Sequence, residues 1–189
     1  MARRVVLVRH GETAWSLSGQ HTSFTDLPLT AGGEAQADAL APLLSRFSFA
    51  RVISSPRRRA LDTARRAGVG DMVEVSEALA EWDYGEYEGR TTAEILADRP
   101  GWSLWRDGAP GGEQAADVGA RVDRLLAELR QADGDGDVAL VGHGHCLRVV
   151  GARWIGLAPE DGARLLLPPA GIFVLGHERE TPVLVAWSP

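Results

Sequence analysis

Val5-Val-Leu-Val-Arg9-His10-Gly11-Glu12-Thr13 and Asp137-Val-Ala-Leu-Val-Gly142-His143-Gly144-His145 decide the fold. In each stretch an apolar run passes straight into a histidine flanked by glycine. Runs apolar throughout suit strands covered on both faces, as in a parallel sheet. Open α/β sheets bind ligands at the carboxyl ends of their strands, where both histidines would sit. As parallel neighbours the two strands would bring His10 and His143 into contact. Gly11 would permit a tight turn after the first.

Further strands are expected at 51–54 and, weakly, at 72–75. Runs at 171–176 and 182–187 read as a hairpin at one sheet edge. Helical patterns fill the gaps. Thr30 is a plausible N-cap for a helix reaching Leu44, with Pro42 expected to shorten or kink it. Ser54 or Ser55 would cap a helix opening at Pro56. Residues 113–130 repeat Val118, Val122, Leu125, Leu126 and Leu129 at helical spacing, and the polar turn Asp133-Gly-Asp-Gly-Asp137 ends them. A last helix is expected at 147–155. Strand alternating with helix predicts a three-layer α/β/α domain over residues 1–189, its sheet mostly parallel. Residues 76–112, with Trp82, Tyr84, Trp102 and Trp105, fit this alternation poorly. They read as a short cap insertion that walls a pocket at one end of the sheet.

Composition narrows the function. With 44% hydrophobic and 24% charged residues in 189, the chain can bury a core and is not mostly disordered. Its single cysteine, Cys146, excludes a disulfide scaffold and a cysteine-based zinc site. A net charge of −6 argues against nonspecific nucleic-acid binding. No apolar run approaches the ~18 residues of a membrane span, and the N-terminal run is too short for a signal peptide. A cytoplasmic protein is therefore expected. All 20 basic residues are arginine, so anions here must be met by guanidinium forks.

A third constellation supplies such arginines. In Ser54-Ser55-Pro56-Arg57-Arg58-Arg59 a strand ends in hydroxyls and a helix opens with three cations. Arginine opposes the dipole at a helix N-terminus unless an anion lies between them. Two of the three suit a solvated face. Two histidines, two arginines and a helix N-terminus around one pocket make an oxyanion or phosphoryl site. A neutral imidazole there can take a phosphoryl group and pass it to water. The leaving alkoxide needs a proton, and Glu81 or Asp83, beside Trp82 and Tyr84, could donate it if aromatic burial keeps the carboxyl protonated. His-x-His at 143–145 could suggest a transition-metal ligand pair, but His145 is expected to line the pocket through its backbone N–H.

These residues resemble the histidine phosphatase (phosphoglycerate-mutase-like) superfamily over nearly the whole chain. The resemblance implies that His10, in Arg9-His10-Gly11-Glu12-Thr13, is the phosphorylated nucleophile. It implies that Arg59, in Ser54-Ser55-Pro56…Arg59-Ala60, serves the phosphate with Arg9. Glu81-Trp82-Asp83-Tyr84-Gly85 is similar to the proton-donor segment, which places the donor at Glu81, and His143-Gly144 matches the second pocket histidine. Within the superfamily the chain is similar to actinobacterial acid phosphatases, including glucosyl-3-phosphoglycerate phosphatase, and to the sedoheptulose-1,7-bisphosphatase group. Ser16 stands where many members carry asparagine. The implied site takes a small phosphorylated metabolite without metal or cofactor. Ser16, Gln20, Thr22, Ser23, Tyr84, Arg106, Gly144 and His145 are its expected substrate-side residues. A phosphatase is expected over a cofactor-dependent mutase, because the segments that would shield a phosphohistidine from water are short. A non-catalytic phosphate-binding scaffold is disfavoured by the retained His10, Arg9, Arg59, Glu81 and His143. Trp154 and Trp187 suit either the core or the face of a homodimer, and the core is the expectation.

Overall fold

In the computed structural model, residues 4–131 and 135–188 are described. The start of the N-terminal stretch, Asp133 and Gly134 of the Asp133–Asp137 turn and the Trp187 side chain lie outside them. Strands β1 (Val5–Arg9), β2 (Phe49–Ser54), β3 (Val73–Val75), β4 (Asp137–Gly142), β5 (Ile172–Glu178) and β6 (Thr181–Ser188) form one sheet in the order β3-β2-β4-β1-β5-β6. The first four run parallel, β5 lies antiparallel to β1, and β6 closes the edge as a hairpin with β5. β1 and β4 are covered on both faces, β4 at every position, whereas the edge strands β3 and β6 are partly exposed over their described residues.

Helices α1 (Ala14–Ser18), α2 (Ala31–Leu44), α3 (Arg58–Arg66), α4 (Thr92–Asp98), α5 (Leu104–Asp107), α6 (Ala115–Gln131) and α7 (Gly144–Trp154) follow in chain order. Pleat alternation divides the core. Val6 and Val8 of β1 pack with Leu40, Leu44, Ala60 and Ala64 from α2 and α3. Val5 and Leu7 pack on the other face with Val122, Leu126, Leu147 and Val150 from α6 and α7. This is the three-layer α/β/α arrangement. Trp154 is a core residue, its indole N–H donating to the Gly176 carbonyl at 3.0 Å.

Two local expectations are corrected, and a third gains its physical reason. Pro42 neither shortens nor kinks α2 in a way that ends it, because it stands in the exposed last turn, where the missing N–H costs one hydrogen bond near solvent. Neither Ser54 nor Ser55 caps α3. The helix opens at Arg58, whose N–H donates to Asp26 Oδ1 at 2.8 Å, while the Ser55 hydroxyl faces His143. The turn after β1 does not use a left-handed glycine: a side chain on Gly11 would meet the Gly33 carbonyl oxygen at 2.4 Å, so close approach of α2 is what requires glycine there.

The insertion at 76–112 caps the carboxyl end of the sheet through short 3-10 turns, α4 and α5. Its aromatic residues serve the core: Trp82, Tyr84 and Trp102 are buried. No helix among the described residues is long and apolar enough to cross a membrane.

Candidate active site

A cavity of about 220 Å³ opens where β1 and β4 end side by side. The His10 N–H donates to the Gly142 carbonyl at 2.9 Å, which ties the two strand ends together. The rings of His10 and His143 meet edge to face with centroids 5.1 Å apart. His10 Nδ1 lies 2.7 Å from the Gly11 carbonyl oxygen, which can only accept. The neutral ring therefore carries its proton on Nδ1 and keeps the Nε2 lone pair free. Burial and the nearby Arg9 and Arg59 hold the His10 imidazole well below its ordinary range, so the ring is neutral at neutral pH.

Arg9 lies beside it. One of its terminal nitrogens donates to the Leu167 carbonyl at 2.7 Å, and its buried Nε has no partner among the described residues. A buried donor left unpaired is costly, and an anion in the cavity would satisfy it. Gly144 makes room for this side chain, since a Cβ there would lie 3.1 Å from the guanidinium carbon.

His143 and Arg59 stand behind this front. Both are fully buried and neither lines the cavity. Arg59 Nε donates to His143 Nδ1 at 3.2 Å, so the His143 proton sits on Nε2 and points to the Ser55 hydroxyl at 2.6 Å. Burial first, then the Arg59 charge, holds this imidazole well below its usual value. The remaining Arg59 groups donate to the carbonyls of Thr22, Ser23 and Thr25. Of five guanidinium donors, at most one is uncommitted. Arg59 thus orders the 22–25 loop and fixes the His143 tautomer. Arg57, half-buried, packs over the Phe24 ring.

Glu81 enters from the cap and lines the cavity. Its carboxylate accepts from the backbone N–H groups of Trp82 at 2.9 Å, Cys146 at 2.8 Å and His145 at 3.1 Å. The last two are first-turn donors of α7, so the helix start holds this acid directly. Backbone donors, rather than aromatic enclosure alone, set its position. Asp83 turns away: its carboxylate accepts from the Gly85 N–H and does not line the cavity.

Ser16, Gln20, Thr22, Tyr84, Gly144 and His145 line the cavity, whereas Ser23 and Arg106 do not. The Ser16 hydroxyl closes a capping box with Thr13 at the start of α1. Ser23 is buried beneath the wall, its hydroxyl on the Glu81 carbonyl. Arg106 lies on the surface, paired with Asp107. His145 corrects its expectation: its N–H is spent on Glu81, and its ring faces the cavity with Nδ1 2.6 Å from the Tyr84 hydroxyl.

Thr13, Gly19, His21, Thr92 and Arg148 also line the cavity and were missed by sequence reasoning. His21 packs against the Tyr84 ring, and burial pushes its pKa down to about 4. Arg148 lies one helical turn beyond Gly144, and that i+4 spacing was the available signal. Its guanidinium rests 4.6 Å above the Trp105 ring and donates to the carbonyls of Gly162 and Ala163. Among the described residues no carboxylate forms an ion pair with Arg9, Arg59 or Arg148.

The model of the histidine phosphatase superfamily (branch 1) matches residues 5–189. An acid phosphatase of Mycobacterium tuberculosis is 45% identical over 177 residues, 93% of this chain and 87% of that one. Sedoheptulose 1,7-bisphosphatase of Saccharomyces cerevisiae is 36% identical over 83% of this chain and 69% of its own. The solved structure of mycobacterial glucosyl-3-phosphoglycerate phosphatase in complex with VO3 is 34% identical, covers 98% of both chains and has a TM-score of 0.88.

Proposed function

The chain belongs to the histidine phosphatase superfamily, and from that premise we propose that it hydrolyses phosphomonoesters of small metabolites through a phosphohistidine on His10. One observation carries the mechanism: His10, with its proton fixed on Nδ1, faces the cavity beside an arginine whose buried Nε has no partner among the described residues. A phosphate group supplies both what the lone pair attacks and what the guanidinium lacks.

His10 Nε2 attacks phosphorus as the P–O bond to the leaving group breaks. Arg9 holds the phosphoryl oxygens while charge redistributes over them. Burial and the charges of Arg9 and Arg59 keep His10 from protonating, and the His143 ring packs against it. Glu81 protonates the leaving oxygen, then takes a proton from the water that attacks phosphohistidine. That second attack breaks the P–N bond, frees inorganic phosphate and returns His10 to its starting state. No metal is required by these steps.

The far wall supports a phosphorylated sugar or phosphoglycerate derivative. Arg148, with no carboxylate pair, suits a second anionic group, while His21, Tyr84 and His145 offer ring faces and polar tips to hydroxyls. The relatives named acid phosphatase, sedoheptulose bisphosphatase and glucosyl-3-phosphoglycerate phosphatase agree with this class. We place the protein in the cytoplasm, acting as a single domain.

The test is phosphate release, with EDTA present, from p-nitrophenyl phosphate, 3-phosphoglycerate, glucosyl-3-phosphoglycerate, fructose-1,6-bisphosphate and sedoheptulose-1,7-bisphosphate. The expected result is one preferred ester whose turnover falls at least ~1,000-fold in His10→Ala. Release that survives in the variant would overturn the phosphohistidine route. Conversion of 3-phosphoglycerate to its 2-isomer with little free phosphate would make the chain a mutase.

A further inference from the structure

Glu81 is fixed by backbone donors from two separate stretches, the 78–83 loop and the first turn of α7. Something must hold those stretches in register. Arg121, in the middle of α6, touches both. One terminal nitrogen donates to the Ala78 carbonyl at 2.8 Å and contacts Cys146 Sγ at 3.3 Å. The same Cys146 gives its backbone N–H to Glu81. Nε and the other terminal nitrogen form a fork with Glu113 at 2.9 and 3.2 Å.

Glu113 closes the loop's other end. Its carboxylate accepts from the Asp83 N–H at 2.9 Å, its own N–H donates to the Asp83 carbonyl at 2.9 Å, and its carbonyl accepts from the Trp82 indole at 2.8 Å. The pair therefore grips the segment at Ala78 and again at Trp82 and Asp83, with Glu81 between. Both side chains are largely shielded, 13% and 22% exposed, so solvent does not loosen the fork. Neither residue lines the cavity.

We propose that Arg121 and Glu113 are positioning residues that set the height of the Glu81 carboxyl over the leaving group. This rests on the acid role proposed for Glu81. A general acid works only within hydrogen-bond reach of the oxygen it protonates, so a small displacement of the loop is felt in that step and little elsewhere.

The experiment is a leaving-group series. kcat/KM is measured for the full-length chain on phosphate esters running from p-nitrophenyl phosphate to simple alkyl phosphates, in wild type, Glu81→Gln, Arg121→Gln, Arg121→Lys and Glu113→Gln. Arg121→Gln is expected to lose about 10-fold more on the alkyl esters than on p-nitrophenyl phosphate, which needs no acid. Its dependence on leaving-group basicity then steepens toward that of Glu81→Gln, and Arg121→Lys recovers part of the loss. Equal losses across the series mean a merely structural role and overturn the proposal. If Arg121→Gln does not fold, Glu113→Gln gives the same readout. A steepened Glu81→Gln beside wild-type slopes in both clamp variants sinks the positioning role alone. A wild-type slope in Glu81→Gln sinks the acid role and this proposal with it, while the His10→Ala result stands apart from both.

Discussion

At one end of the cavity His10, Arg59, Glu81 and His143 are each 7% exposed or less, and backbone groups or one another fix them. At the other end Ser16, Gln20, Thr22, His145 and Arg148 are partly exposed and arrive from α1, the loop after it and the opening turns of α7. At the first end His10 and His143 follow strand termini whose register cannot slip without turning every buried valine outward, and Arg59 of α3 and Glu81 of the cap are tied to them or to the α7 start by hydrogen bonds. The second rests on segments that can change length and still leave the sheet intact. Chemistry that needs preorganised dipoles belongs at the first, and discrimination between substrates at the second.

The sharpest break between the two ends is at Glu81. Glu81→Gln keeps the acceptor oxygen toward the α7 start and removes the transferable proton. Turnover of alkyl phosphates should fall about 100- to 10,000-fold, with far smaller loss on p-nitrophenyl phosphate. Equal losses on both would assign Glu81 to shape alone and erase the distinction between the ends.

Acid should expose a property the two ends share. His10 and His143 at one end and His21 at the other are buried, His145 is partly buried, and all four have lowered pKa values, chiefly through desolvation. Above the unfolded value near 6.5 both states bind no proton on these rings. As pH falls below it the unfolded chain takes up protons that the folded rings refuse, so stability drops until the folded pKa is reached. For His21 that window closes near 4 and is worth on the order of 3 kcal/mol. Denaturation midpoints should hold from about pH 8 to about pH 6.5 and then fall toward about pH 5, and fall less in His21→Gln. A flat wild-type profile would mean that these rings take up protons alike in the folded and unfolded chain. Inorganic phosphate should flatten the decline mainly through the first end, since its charge favours protonated His10.

The difference between the ends also governs what could be read without a structure. His10, His143 and Arg9 follow apolar runs directly, so a strand assignment places them, and parallel pairing brings the rings together. Glu81 was visible as an acid among buried aromatics, although its backbone donors were not. Arg59 was legible as a residue and misread in its contacts: its donors serve loop carbonyls and His143, a detail fixed only by how residues 22–25 fold back. Ser16, expected on the substrate side, lines the cavity with its hydroxyl engaged in the Thr13 cap. Ser23 and Arg106 were placed by polarity and proximity in sequence, which say nothing of the direction a loop side chain takes. Arg148 was overlooked as one arginine among 20, although its i+4 spacing from Gly144 puts it on the face of α7 that lines the cavity.

Arg148 therefore gives the finest test of the comparison. Its stem and guanidinium lie on Trp105 and its donors reach two carbonyls of the 159–164 turn, so a charge-only variant must keep the packing. Arg148→Met does so. If the residue binds a second anionic group, the loss appears as a higher KM on 3-phosphoglycerate, about 10- to 100-fold, with p-nitrophenyl phosphate changed less than about threefold. The loss should also shrink with added salt only weakly, because a half-buried guanidinium is poorly screened. A matching loss on both esters would instead make Arg148 a brace for the turn, and the substrate end would then owe its selectivity to the rings of His21, Tyr84 and His145.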